Sequence, residues 1–258
     1  MRWLALFLMA SLTMLGVAHA QSVDEIISKG KVVVAVDPTS EPFGVTGTDG
    51  QPDGYDVDVA RLLAKYMGVD LELVPVTSTN RIPYLLTNRV DLVISLFSIT
   101  PERALQVWFS DPYAAVGTVI TARKDKAIKG FDDLKGLKIG VPRRTIPDII
   151  LTKKALPDVE IMRFDDEATS IQALVTGQVD ALGSSTTALI VLNRGKAEKE
   201  FEPKITLVEN HFGIGMRRGQ QDLRQWVNTF IYAIKTNGEL DAIARKWTGD
   251  GLKPLPTF

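Results

Sequence analysis

The chain has 258 residues, with 30 Lys and Arg against 31 Asp and Glu, a formal net charge of −1, 45% apolar residues and 24% charged ones. This is the composition of an ordinary globular protein, long enough for one large domain or two lobes, and its charge balance argues against a nucleic-acid partner, which demands a basic face. With no cysteine and two histidines, disulfides, thiolate chemistry, multi-histidine metal sites and a Ser-His-Asp triad find little support, and neither a metal nor a cofactor is expected.

Met1 to Ala20 carries one arginine, an apolar run from Trp3 to Val17 and an A-H-A ending. The pattern predicts a secretory leader cut after Ala20, too short to span a membrane. The mature chain then begins at Gln21 with 258 − 20 = 238 residues, and losing Arg2 takes its charge from −1 to −2. No cysteine follows the cut, so this is no lipoprotein signal, and a free protein of a Gram-negative periplasm is expected. His211 is the only histidine left, expected at a hinge or on the surface.

Asp24 to Gly30 reads as a short helix and Lys31 to Val36 as a buried strand. The loop after it, Asp37 to Phe43, has two prolines at the carboxyl end of a strand, where α/β folds place ligands. Phe43 and Phe97 are read as core or as apolar wall of a site. Gly54 to Gly68 predicts an amphipathic helix with Asp56 and Asp58 as acidic first-turn residues that stabilise its start. Leu71 to Val76 follows as a strand and Asn80 to Thr87 as a helix.

Val90 to Tyr113, VDLVISLFSITPERALQVWFSDPY, is the stretch around which the rest is arranged. A buried strand from Leu92 to Ile94 releases three hydroxyls, Ser95, Ser98 and Thr100. Thr100 as N-cap and Pro101 at the first helical position predict a helix running to about Val107. Arg103 lies in its first turn, where a cation gains nothing from the helix dipole, so a bidentate partner such as a carboxylate accounts for it better.

Gly117 to Ala122 reads as a crossing strand, and Phe131 to Val141 as a short helix and a buried strand. Pro142 to Asp148, P-R-R-T-I-P-D, opens a helix. Arg163 to Ser185 holds a helix, a G-Q-V-D-A turn and a strand. Lys204 to Glu209 and His211 to Met216 form a return strand, in which Gly213 and Gly215 allow a bend or a close approach. Asp222 to Asn237 and Glu239 to Trp247 are closing helices, with Trp226 and Trp247 read as core.

The ordered motifs S-I-T-P-E-R with F-S-D-P-Y, G-Y-D-V-D, G-Q-V-D-A and I-K-x-N-G-E-L-x-A-I-x-x-K-W resemble the bacterial extracellular solute-binding proteins, family 3, the periplasmic polar amino acid-binding proteins of ABC transporters. The resemblance implies a type II periplasmic binding fold. Two α/β lobes, residues 21–115 plus 212–258 and residues 116–211, would be joined by two hinge crossovers with a ligand cleft between them. It implies a monomer that closes on a small amino acid-like carboxylate compound and delivers it to a membrane permease, with no chemistry.

Carried over, Arg103 grips the carboxylate, with Ser95, Ser98 and Thr100 around it and Leu96 offering backbone. Asp37 and Ser40 belong to the first ligand loop, where Ser40 replaces a usual aromatic cover. Thr145 matches the hydroxyl of the second loop. Arg144 departs from a usual glycine and blocks a positive φ; its side chain either points to solvent, the usual fate of an arginine, or adds a charge beside the ligand, and an inward Arg143 or Arg144 would mean a second acidic group on it. Ser185 stands where the family carries the acid that holds an α-ammonium, leaving Asp37, Glu41, Asp166 and Glu167 as substitutes.

Two rival readings share the scaffold. Cyclohexadienyl dehydratases resemble these binding proteins, and such an enzyme would need Glu41 or Glu167 as general acid. The sensor lobe of a receptor is the other.

Overall fold

The computed structural model describes residues 23–257; the leader and its cleavage after Ala20 lie outside the described residues. Helix α1 (Val23–Lys29) leads into β1 (Lys31–Val36), a small hairpin of β2 (Val45–Thr46) and β3 (Pro52–Asp53), and α2 (Tyr55–Met67). β4 (Asp70–Pro75), α3 (Arg81–Leu86), β5 (Leu92–Val93) and the four-residue α4 (Pro101–Ala104) follow. The long strand β6 (Val107–Arg123) then crosses out, to a 3-10 turn at Phe131–Leu134, β7 (Lys138–Pro142), α5 (Ile146–Lys154), β8 (Glu160–Phe164), α6 (Glu167–Val175), β9 (Ala181–Ser185) and α7 (Ala188–Leu192). A second long strand, β10 (Phe201–Arg217), returns to α8 (Gln221–Thr236) and α9 (Glu239–Thr248).

Eight strands form one sheet in the order β4-β1-β5-β10-β6-β9-β7-β8. Its centre is the antiparallel pair β6 and β10, in register from Val107 opposite Arg217 to Arg123 opposite Phe201. The two crossovers are therefore hydrogen-bonded to each other along their length, with β5 and β1 on one flank and β9 and β7 on the other. Gly117 to Ala122, expected as a separate strand, is the middle of β6.

The buried side chains gather on either side of this pair. Two clusters draw on residues before 117 and after 211, with α2, α8 and α9 covering one face. Two others draw on residues 120–205. The helices form for ordinary reasons: α2 starts with Asp56 and Asp58 in its first turn and stops at Gly68, whose φ of 70° suits glycine. Gly213 and Gly215 lie at register shifts of β10. A Cβ on Gly215 would come within 2.6 Å of the Phe97 ring, so close packing dictates that glycine.

The helix expected from Pro101 to about Val107 is a single turn ending at Ala104. Val107 pairs with Arg217 instead, so sheet hydrogen bonds displace helical ones three residues past the turn. Trp226 and Trp247 are partly buried against the core, and Trp247 Nε1 donates to Asp58 at 2.7 Å, tying α9 to the start of α2. His211 pairs with Ala115 at the middle of the crossovers. Among the described residues no helix is long and apolar enough to cross a membrane.

Candidate functional site

The strands of both halves end around one cavity of about 70 Å3, lined by residues from 37–41, 78–103, 142–147, 166–185 and the crossover residues Thr118, Asn210 and Phe212. Its floor is the loop between β5 and α4, tied down in three ways. Ile99 N–H donates to the His211 carbonyl at 3.0 Å, Gly213 N–H to Phe97 at 3.1 Å, and Leu96 N–H to Asp56 Oδ2 at 2.9 Å.

Asp56 thus does more than stabilise a helix start. It is buried, accepts from the Tyr113 hydroxyl at 2.7 Å as well as from Leu96, and burial pushes its carboxyl up to about 7. Of the Leu96 backbone expected to serve a ligand, the N–H is committed to Asp56 by the same bond. Leu96 still lines the cavity.

Arg103 is 8% exposed and lines the cavity. Its Nη1 donates to the Ser98 carbonyl at 2.9 Å and its Nη2 to the Arg144 carbonyl at 3.1 Å. Burial and the neighbouring Arg81 charge draw its guanidinium down to about 9, which leaves it a cation at neutral pH. Phe97 lies beneath both cations, its ring centroid 5.4 Å from Arg103 and 4.7 Å from Arg81.

Ser95 and Ser98 are buried and line the cavity; the Ser95 hydroxyl has no hydrogen-bond partner. Thr100 keeps its expected capping role and is corrected only as a wall residue. It is the N-cap of α4, its Oγ1 accepting from Arg103 N–H at 3.2 Å, and it is absent from the cavity wall. Capping uses the hydroxyl that the resemblance assigned to a ligand.

Across the cavity, Thr145 and Ser185 line the wall as expected, Thr145 donating to the Pro142 carbonyl at 2.6 Å and Ser185 sharing a hydrogen with Thr187 at 2.7 Å. Arg144 is corrected on its backbone, while its side chain takes the solvent-facing alternative. It adopts a φ of 59° although it is not glycine, because Asp148 Oδ2 accepts its N–H at 2.9 Å. Its exposed side chain lines a neighbouring groove instead of the cavity, so it brings no charge to a ligand there. Arg143 is also exposed and pairs with Asp165 at 2.9 Å.

Four acids line the cavity: Asp37, Glu41, Asp166 and Glu167. Asp37 is buried, accepts from Thr39 and Ser40, and has its carboxyl raised by that burial. Ser40, also on the wall, is thereby used to hold Asp37. Phe43 is core against Tyr55, 4.8 Å between centroids, and the apolar wall is Leu96, Pro142, Ile146, Pro147 and Phe212 instead.

Arg81 was missed. It is 4% exposed, lines the cavity, donates to the Ser95 carbonyl at 2.6 Å, and leaves Nε without a partner. Burial draws it down to about 10. Its signal is the spacing in N-R-I-P-Y-L-L: Arg81 and Leu85 share the buried face of α3, and a cation on such a face needs an anionic neighbour.

A charged, hydroxyl-lined cavity between two α/β halves on one hinged pair of strands defines a ligand-capturing protein of the two-lobed cleft type. Residues 32–250 match the family described as bacterial extracellular solute-binding proteins, family 3, and the chain belongs to it. It is 29% identical to the L-cystine-binding protein TcyJ of Escherichia coli over 95% of this chain and 93% of that protein. It is also 29% identical to the ABC transporter glutamine-binding protein GlnH of Bacillus subtilis, over 84% and 81%.

The crystal structure of the ancestral amino acid-binding protein AncCDT-1, a precursor of cyclohexadienyl dehydratase, superposes with a TM-score of 0.78 at 34% identity, covering 87% of this chain and 98% of that one. Both curated relatives are named as binding proteins, as is the family to which this chain belongs.

Proposed function

We propose that the chain is a periplasmic binding protein that captures a small carboxylate-bearing amino acid or derivative between its lobes and hands it to the permease of an ABC transporter. The observation that carries this reading is the Arg103 guanidinium, buried on the cavity wall with N–H groups beyond those given to Ser98 and Arg144. A planar fork in a desolvated place binds a carboxylate bidentately and strongly. The names of the relatives, for cystine and glutamine, support an amino acid ligand.

The lobes are residues 21–115 plus 212–258 and residues 116–211, the mature protein begins after Ala20, and it works as a monomer without nucleic acid. Binding proceeds by hinge closure: Arg103, with Ser95 and Ser98, receives the carboxylate on the first lobe. The second, with Thr145 and Ser185, then closes and excludes water. The sorting of the buried clusters about residues 117–120 and 205–211 supports these boundaries.

A thermal-shift screen of the mature protein against amino acids, dicarboxylates, opines and prephenate tests the proposal. Stabilisation by an amino acid, lost in Arg103→Ala, is the expected result; stabilisation by none of the carboxylates would refute it.

A further inference from the structure

Ser185 provides no charge for an α-ammonium, yet four acids surround the cavity. Three are already engaged. Asp37 Oδ1 accepts from both the amide and the hydroxyl of Thr39, and its Oδ2 from Ser40. Glu41 is paired with Arg194. Asp166 is the N-cap of α6, its Oδ1 accepting from the amide and the hydroxyl of Thr169. Glu167 has a single side-chain partner, the hydroxyl of Ser184 on β9, and keeps most of its acceptor capacity free, where Asp37 and Asp166 each accept two or more N–H and O–H groups and Glu41 has a cation.

Two orphaned donors on the opposite wall show that the cavity is built around something else. The Ser95 hydroxyl and Arg81 Nε are buried without a partner, and a buried unmet polar atom is costly unless a ligand completes it. Both belong to the lobe of Arg103; Glu167 belongs to the other.

Resting on the amino acid reading above, we propose that Glu167 is the ammonium-binding residue, so that a zwitterionic α-amino acid spans the cleft from Arg103 on one lobe to Glu167 on the other. Each charge of the ligand then holds one lobe, and closure requires both. A carboxylate compound lacking the amine engages Arg103 alone, leaves Glu167 without a counter-ion, and binds without drawing the lobes together. The acid has moved from the end of β9 to the first turn of α6, and Ser184 orients it.

The role is consistent with a carboxyl that burial pushes up to about 7: an ammonium beside it would favour the ionised form. The other charged groups on the wall are Asp37, Glu41, Arg81, Arg103 and Asp166, and the three acids among them have the partners given above.

The test is calorimetry on the mature protein, wild type, Glu167→Gln and Arg103→Ala, with the twenty proteinogenic L-amino acids, L-cystine and the matching 2-hydroxy acids as probes. Glu167→Gln is expected to weaken the bound amino acid about 100-fold and its hydroxy acid less than threefold. Should Glu167→Gln fail to fold, the wild-type pH profile decides. Amino acid affinity should fall about fivefold between pH 7 and pH 6, and a flat profile overturns the assignment. Equal loss of both probes in Glu167→Gln, or no loss of either, overturns it and leaves the binding function standing if Arg103→Ala still abolishes capture. A wild-type protein that binds no L-amino acid overturns both.

Discussion

Arg103 and Arg144 are joined across the cleft, Nη2 of the first donating to the carbonyl oxygen of the second at 3.1 Å. One guanidinium therefore ties the loop it grows from to the backbone of the facing half and keeps further N–H groups for the carboxylate proposed above. Two neighbouring carbonyls of that facing turn are used, because the Ser78 hydroxyl donates to Arg143 at 2.5 Å. Lysine cannot replace this fork, since a point charge with three donors lacks the flat bidentate geometry. Arg103→Lys is expected to fold normally and to weaken ligand binding by about 100-fold, roughly 3 kcal/mol, measured by calorimetry.

The turn that offers those carbonyls is held by Asp148, which accepts from Arg144 N–H at 2.9 Å and from Arg163 Nε at 2.8 Å. Arg144→Gly relieves the left-handed backbone and should raise stability by about 1 kcal/mol. Asp148→Ala removes the anchor and leaves a donor unmet, so a loss of about 2 kcal/mol is expected. Differential scanning calorimetry separates the two, since the midpoints move in opposite directions.

Much of this was legible in the residues and some was not. Arg103, Ser95 and Ser98 could be placed because a capped turn after a buried strand leaves few alternatives, and each motif has its spacing in one continuous stretch. Arg144 was misread because its φ is set by Asp148, a bond that a residue-by-residue propensity does not contain. Thr100 caps α4 as its spacing predicted, and the resemblance gave the same hydroxyl a second use beside a ligand. Arg81 escaped because the stretch was read only as a helix, and its burial beside Leu85 is what shows the inward face. The length of α4 was overstated because pairing of Val107 with Arg217, 110 residues away, is invisible locally.

Asp56 gives a pH prediction. Its carboxyl, about 7 when folded against an ordinary value of 3.8, holds its proton more tightly in the folded protein. Folding then binds a proton between those values, so this residue's contribution to stability is largest below pH 4 and is lost as the pH rises toward 7. Asp56→Asn should flatten that dependence by up to about 1.4 kcal/mol per pH unit. Urea melts from pH 4.5 to 7.5 compare the slopes, and identical ones would contradict the assignment.

Gly215 supports the Phe97 ring that lies under Arg81 and Arg103. A methyl there would stand 2.6 Å and 2.7 Å from two ring carbons, far inside contact distance, so the ring must move. Gly215→Ala is expected to destabilise by about 2 to 3 kcal/mol and to weaken ligand binding as well, because both cations lose their footing. The same substitution at Gly30, where nothing lies within 4 Å, strains only the backbone and should leave affinity unchanged.

Because β6 leaves the first half and β10 brings the chain back, α1 and α9 belong to the same body, and Val23 N–H even donates to Asp222 of α8 at 3.0 Å. Anchoring the protein to a bead, a chip or a fluorescent fusion partner through either end of the described chain would therefore grip one half twice and leave the other free to swing. A reporter of capture needs one label there and a second on the inserted half, for which the exposed Ala155 just past the end of α5 offers a foothold.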